Sequence, residues 1–229
     1  MVALLASPLL GPAVWQPVAQ ALRQRGVDVV AAAASRPTRS AADVLQRFLA
    51  DLPADRDVVA VPHSNAGAYV PALVAQRRVV ASVFVDAVLP PRTGHIALAP
   101  PELVEMLVDL ADEQRMLPPW TAWWGEDGVT ELFPSDAVRR QVEAEQQRLP
   151  LTYFTESMPV APGWDDRPCV YLSFGDTYAA EHQEAAARGW PVARLDGMHL
   201  HMLHSPYAVA AAVLELLRRL GIDLIRGEP

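Results

Sequence analysis

An α/β domain is the fold class this sequence predicts: a six-stranded, mostly parallel sheet with helices on both faces, and a helical lid inserted after the fourth strand. Three observations predict it. Short apolar runs alternate with stretches of helical period through residues 1–88 and again through 168–220. Between those stretches the alternation stops and prolines cluster, at Pro90, Pro91, Pro100, Pro101, Pro118 and Pro119 and again at Pro159, Pro162 and Pro168. Finally, 51% of the 229 residues are hydrophobic and 20% are charged, which is enough apolar side chain to bury a core between such layers.

The elements follow in order. Residues 2–6 are a five-residue apolar run stopped by Ser7-Pro8, the pattern of a strand buried on both faces. Val14, Val18, Ala21 and Leu22 share one face of a helix over 14–24, and Gly26 ends it. Residues 27–33 form the second strand. Ser40 is placed to cap a helix over 41–52 that Pro53 closes. A third strand over 57–62 leads to a small-residue helix over 65–76, and a fourth strand occupies 79–86. The segment 89–167 is too long for a loop. It carries two amphipathic helices, over 102–115 and 135–148, and leaves the carboxyl edge of the sheet, where ligands bind in open α/β folds. The pattern then resumes with a strand at 169–173, a helix at 179–188, a sixth strand at 191–195 and a closing helix at 206–220. The expected division is a core of 1–88 and 168–229 with a lid of 89–167. Because Met1 abuts the first strand, the core is expected to have six strands and no more.

Composition excludes several classes of function. Nineteen basic against 27 acidic residues give a formal charge of −8, with no basic face for nucleic acid. Cys169 is the single cysteine, so there is no intrachain disulfide and no thiol cluster for a metal. No apolar run approaches the roughly 20 residues a membrane span needs. The N-terminus lacks the basic start of a signal peptide, and a cytoplasmic location is expected. No glycine-rich phosphate loop follows the first strand, so no nucleotide cofactor, or any other, is expected. The expected partner is a small-molecule substrate.

The chemistry concentrates at the ends of three strands. Val58-Val59-Ala60-Val61-Pro62-His63-Ser64-Asn65-Ala66-Gly67 runs a strand straight into a serine, then into small residues that open a helix. A sharp turn of this kind exposes the serine hydroxyl at the sheet's end, and small neighbours are needed because the backbone is crowded. Pro62 and Ala66 stand where the common Gly-x-Ser-x-Gly pattern has glycines, with Gly67 one place later. The last strand ends in Leu195-Asp196-Gly197-Met198-His199-Leu200-His201, and the fifth in Ser173-Phe174-Gly175-Asp176. The order Ser64, Asp176, His199 suits a nucleophile, an orienting acid and a base. Asp86, which also ends a strand, is the alternative acid, and His201 the alternative base. His63 reads as a packing residue, and Cys169 as an inert core thiol.

These motifs resemble the α/β-hydrolase superfamily, and within it small bacterial members similar to the plant methylesterase and hydroxynitrile-lyase group. The likeness rests on Leu4-Leu5-Ala6-Ser7-Pro8 with Trp15-Gln16-Pro17-Val18-Ala19, on Pro62-His63-Ser64-Asn65-Ala66-Gly67, on Val83-Phe84-Val85-Asp86-Ala87 with Pro90, and on Gly197-Met198-His199. It covers about 1–90 and 168–220. By that resemblance Ser64 is the nucleophile, His199 the general base and acid, and Asp176 the acid that orients it. The oxyanion hole is then formed by the backbone N–H groups of Asn65 and Leu9. Ser7-Pro8 replaces the family's usual His-Gly, but the expected donor is the residue after the proline.

Trp120, Trp123, Trp124, Tyr153 and Phe154 in the insertion, together with His201, are the expected substrate-binding residues. The reading is a serine hydrolase of an ester, thioester or lactone with a largely apolar substrate, in the setting of secondary metabolism. One alternative is a lyase or cyclase using Ser64 and His199 for proton transfer. The other is a catalytically inactive small-molecule binding protein.

Overall fold

The computed structural model describes residues 1–32 and 38–224, with Glu126 and Asp127 described by their backbone alone. The end of the expected second strand, at Ala33, lies outside the described residues.

The core opens with β1 (Val2–Leu5), a 3₁₀ turn and α1 (Gln16–Arg23), followed by β2 (Val29–Ala31) and α2 (Ala41–Asp51). Next come β3 (Val58–Ser64), a 3₁₀ turn over Asn65–Tyr69, α3 (Val70–Gln76) and β4 (Val79–Ala87). The insertion contains β5 (Gly94–Ala97), α4 (Pro101–Leu110), a 3₁₀ turn over Trp120–Trp123, α5 (Gly125–Thr130), α6 (Asp136–Glu143), α7 (Leu151–Phe154) and β6 (Ser157–Val160). The core resumes with β7 (Cys169–Phe174), α8 (Ala179–Ala187), β8 (Val192–Leu195), α9 (His201–His204) and α10 (Pro206–Arg219).

Six strands pair in the order β2-β1-β3-β4-β7-β8, and every pairing is parallel. β1, β3 and β7 are buried at every position, which is why they read as continuous apolar runs instead of alternating ones. Connections of this kind are right-handed. The chain steps one way from β1 to β2, and the other way from β2 through β3 and β4. α1 therefore lies on one face, where α10 packs against it, while α2 and α3 pack together on the other. The direction reverses between β1 and β3, and this is the crevice where open α/β sheets bind ligands. The loop after β1 and the end of β3 meet there, with β4 beside them.

The insertion differs from its sequence pattern in ways that side chains explain. α4 ends at Leu110 and does not reach Arg115, because Asp112 Oδ1 accepts the N–H groups of Gln114 and Met116 at 2.9 Å each and turns the chain. α6 ends at Glu143. Beyond it Glu145 Oε2 accepts the N–H of Ala13 at 2.6 Å, and Gln147 Oε1 that of Thr38 at 2.9 Å, so these residues tie the insertion to the core. β5 and β6 form a separate antiparallel pair that sequence reading missed. Among the described residues no helix is long and apolar enough to cross a membrane.

Candidate active site

Ser64 stands at the tip of β3 with φ 56° and ψ −132°, a conformation that side-chain-bearing residues rarely adopt. Backbone strain of this sort persists only where the surroundings enforce it. Here the enforcement comes from packing. Val88 N–H donates to the Ser64 carbonyl at 3.2 Å, and a Cβ at Gly67 would collide with the Val88 carbonyl oxygen. The glycine displaced by one position from the usual pattern is thus the one the close approach of the two chains requires.

Asp86, at the end of β4, has φ 43° and is 0% exposed. Both of its oxygens are used. Oδ1 accepts the N–H of Phe174 at 2.8 Å, and Oδ2 accepts from His199 Nδ1 at 2.7 Å. The turn itself is held by Tyr171, whose hydroxyl donates to the Ala87 carbonyl at 2.6 Å and accepts the Ala87 N–H at 3.1 Å. Burial pushes the Tyr171 phenol well up, so it keeps the proton it donates.

The geometry places Asp86, not the expected Asp176, against His199. Asp176 does not reach His199. Its side chain is 87% exposed and paired with Arg194 at 3.0 Å. Gly175 explains the difference, since a Cβ there would lie 2.5 Å from the Gly197 carbonyl oxygen. The end of β7 presses directly on the histidine loop and carries Asp176 past it into solvent, while the neighbouring β4 delivers Asp86 from below. His201 is likewise not the ring beside the acid. It packs on Phe174, with ring centroids 5.4 Å apart, beneath Gly197.

The bond to Asp86 fixes the tautomer of His199. Nδ1 carries the proton and Nε2 is left as the acceptor. A second histidine sets the ring's position. His63 is fully buried, stacks on His199 with centroids 4.4 Å apart, and uses Nε2 to donate to the His199 carbonyl at 3.0 Å. Since a carbonyl only accepts, His63 carries its proton on Nε2. Burial, and then the neighbouring His199, hold its pKa well below the ordinary value, so it stays neutral.

Ser64 Oγ makes its hydrogen bond to the Tyr178 hydroxyl, at 3.3 Å, and no hydrogen bond joins it to His199. Tyr178 was not singled out in the sequence, although it lies only two residues beyond Asp176 in the same loop. Its ring centroid is 5.6 Å from that of His199.

The expected oxyanion donors are engaged unequally. Asn65 follows Ser64 directly, and the Asn65 side chain is locked: Nδ2 donates to the Leu98 carbonyl at 2.7 Å, and Oδ1 accepts from the Tyr153 hydroxyl, itself 2.8 Å from that of Tyr69. Leu9 N–H is engaged by Ser7 Oγ at 3.3 Å, a long contact that a stronger acceptor can displace.

Of the insertion's expected substrate-binding aromatics, Trp120 has its ring centroid 6.2 Å from that of His199. Trp123 packs edge-on against Phe154 and donates to the Pro118 carbonyl. Trp124 is 41% exposed and leans on both of the other tryptophans. Tyr153 is buried beneath Asn65, where it positions that residue.

A scan of protein-family models finds no match, and neither does a search of curated proteins by sequence. Solved structures do match. An extracellular α/β-hydrolase from a Paenibacillus species, described as sharing structural and functional homology with tobacco salicylic acid binding protein 2, superposes with a TM-score of 0.73 at 17% identity, covering 94% of this chain and 98% of its own. Polyneuridine aldehyde esterase gives 0.67 at 16% identity, covering 94% and 98%. A variant of tomato methylketone synthase I, complexed with β-ketoheptanoate, gives 0.70 at 14% identity, covering 95% and 96%. At these identities the likeness is one of fold, and it extends over nearly the whole of each chain. A parallel sheet in the order found here, a serine on a strained turn after the third strand and this set of neighbours make the conclusion plain: the chain has the α/β-hydrolase fold.

Proposed function

We propose that the protein is a serine hydrolase that cleaves an ester, thioester or lactone of a largely apolar small molecule, with Ser64, His199 and Asp86 as its catalytic groups. One observation carries the reading. His199 donates a hydrogen bond from Nδ1–H to the doubly hydrogen-bonded, fully buried Asp86, which leaves Nε2 free as a base at the end of the sheet where Ser64 stands. Ser64 gives its proton to Nε2 as Oγ attacks the carbonyl carbon. Asp86 stabilises the imidazolium that forms. The N–H groups of Asn65 and Leu9 receive the oxyanion, each worth about 3 kcal/mol in such sites. The imidazolium then protonates the departing oxygen or sulfur, and water repeats the sequence to free the acid. Trp120, beside His199, and the Trp123–Phe154 pair support an apolar substrate.

The neighbour named a synthase and the missing Ser64–His199 bond together favour a second reading, proton transfer without an acyl-enzyme. A single experiment separates the two: intact mass after incubation with a fluorophosphonate, for wild type, Ser64→Ala and His199→Ala, beside turnover of p-nitrophenyl esters. The hydrolase predicts one adduct, absent in Ser64→Ala, together with turnover. An adduct without turnover of any ester or thioester moves the assignment to the second reading. The absence of any adduct contradicts an activated serine and leaves a binding role.

A further inference from the structure

The loop that in sequence promised the catalytic acid delivers a different group to the nucleophile. Asp176 points to solvent, while two residues later Tyr178 brings its hydroxyl to within 3.3 Å of Ser64 Oγ. The tyrosine is held firmly. It is the residue from which α8 starts, its carbonyl accepts the N–H of His182 at 3.0 Å, and His182 Nδ1 is bonded to Ser173 Oγ of β7 at 2.8 Å. Burial, reinforced by the charges of Asp86 and Glu181, raises the phenol's pKa. The hydroxyl therefore keeps its proton at working pH and is able to donate it in a hydrogen bond.

Topology says which side of the reaction it serves. β3 carries Ser64. On one side lies β1, whose following loop holds Leu9, one of the two oxyanion donors. On the other side, past β4, come β7 and β8, whose following loops hold Tyr178 and His199. Tyr178 therefore shares the side of His199, where the leaving group must take its proton, and stands across Ser64 from the Leu9 side of the oxyanion hole.

We propose that Tyr178 is a further catalytic residue, a hydrogen-bond donor first to Ser64 Oγ and then to the leaving-group oxygen, which fits the site to esters of unactivated alcohols. The inference rests on the serine-hydrolase reading. In the resting site the phenol donates to Oγ, so the serine's own proton is free to pass to His199 Nε2. As Oγ bonds to the carbonyl carbon it becomes a weak, ester-type acceptor, and the phenol's hydrogen bond passes to the leaving-group oxygen, where charge develops. When the bond from carbonyl carbon to leaving oxygen breaks, that oxygen takes the proton from the His199 imidazolium while accepting a hydrogen bond from Tyr178, whose proton stays in place. The alcohol leaves neutral, and the acyl-enzyme is left with neutral His199.

The test compares an ethyl and a p-nitrophenyl ester of the same acyl group on wild type and Tyr178→Phe. kcat/KM reports acylation in both cases, and the acyl-enzyme is common to the two substrates. For the ethyl ester the variant is expected to lose roughly 10- to 100-fold, the usual worth of a hydrogen bond to a developing charge; for p-nitrophenyl, whose phenolate departs without such help, about threefold or less. A 3-fluorotyrosine at 178, which restores the hydroxyl, is expected to recover the ethyl-ester rate. Equal losses on both esters, or no loss on either, overturn the inference while leaving the hydrolase reading standing. A wild type that turns over neither ester, nor any other, removes the hydrolase reading and this inference with it.

Discussion

At the scale of single residues, the site is organised by two residues held at positive φ, Ser64 and Asp86, and by the buried His63 stacked on His199. His63 donates to the backbone of the His199 loop and stays neutral because it is buried. Its pKa is depressed in the folded state, so below about pH 6.5 the unfolded chain binds a proton that the folded chain refuses. Stability is therefore full above that pH and is lost as pH falls toward the folded value. His201, also lowered chiefly by burial, adds to the same trend. Replacing His63 by Gln keeps a donor and removes the titration. Melting curves between pH 7.5 and 5 are expected to show a shallower acid loss for His63→Gln than for wild type, and parallel losses would contradict the role given to His63.

At the scale of elements, the junction from β3 to α3 is set by one close approach. Gly67 lies against the carbonyl of Val88, at the exit of β4, and has no room for a methyl group. Gly67→Ala is expected to cost about 1–3 kcal/mol in denaturant unfolding and to depress activity beyond that, because it shifts the turn that carries Ser64. Ser40 offers a control remote from the chemistry. Its hydroxyl accepts the N–H of Asp43 at 3.2 Å, and Asp43 Oδ2 accepts the N–H of Ser40 at 3.1 Å. Ser40→Ala is expected to cost about 1 kcal/mol of stability. If Ser40→Ala lowers activity as much as Gly67→Ala does, the Gly67 effect is one of stability alone.

At the scale of the whole molecule, the parallel sheet was legible because its central strands are buried on both faces and write their burial directly as Val, Ala and Leu runs between helical segments. Ser64 stands at the end of such a run, whereas β8, which precedes His199, is only partly buried. The choice between Asp86 and Asp176 was not legible. β4 and β7 are adjacent, from Ser82 opposite Cys169 to Val85 opposite Leu172, so an acid after either can approach the histidine loop. What decides is the φ of Asp86 and the press of Gly175 on Gly197, and neither leaves a mark in residue type. The β5–β6 pair was hidden because it joins four-residue segments about 60 positions apart, one of them containing Pro159. Tyr178 was hidden because an aromatic residue at a helix start has no pattern of its own.

Ester turnover of Asp86→Asn beside Asp176→Asn tests whether Asp86 orients His199 for a serine nucleophile. Asp86→Asn leaves His199 without the acceptor that fixes its tautomer, and kcat/KM is predicted to fall about 10³- to 10⁴-fold. Asp176→Asn removes one exposed ion pair with Arg194, and its kcat/KM is predicted to stay within about twofold of wild type. A large loss in Asp176→Asn with activity retained in Asp86→Asn would assign the orienting role to Asp176 instead.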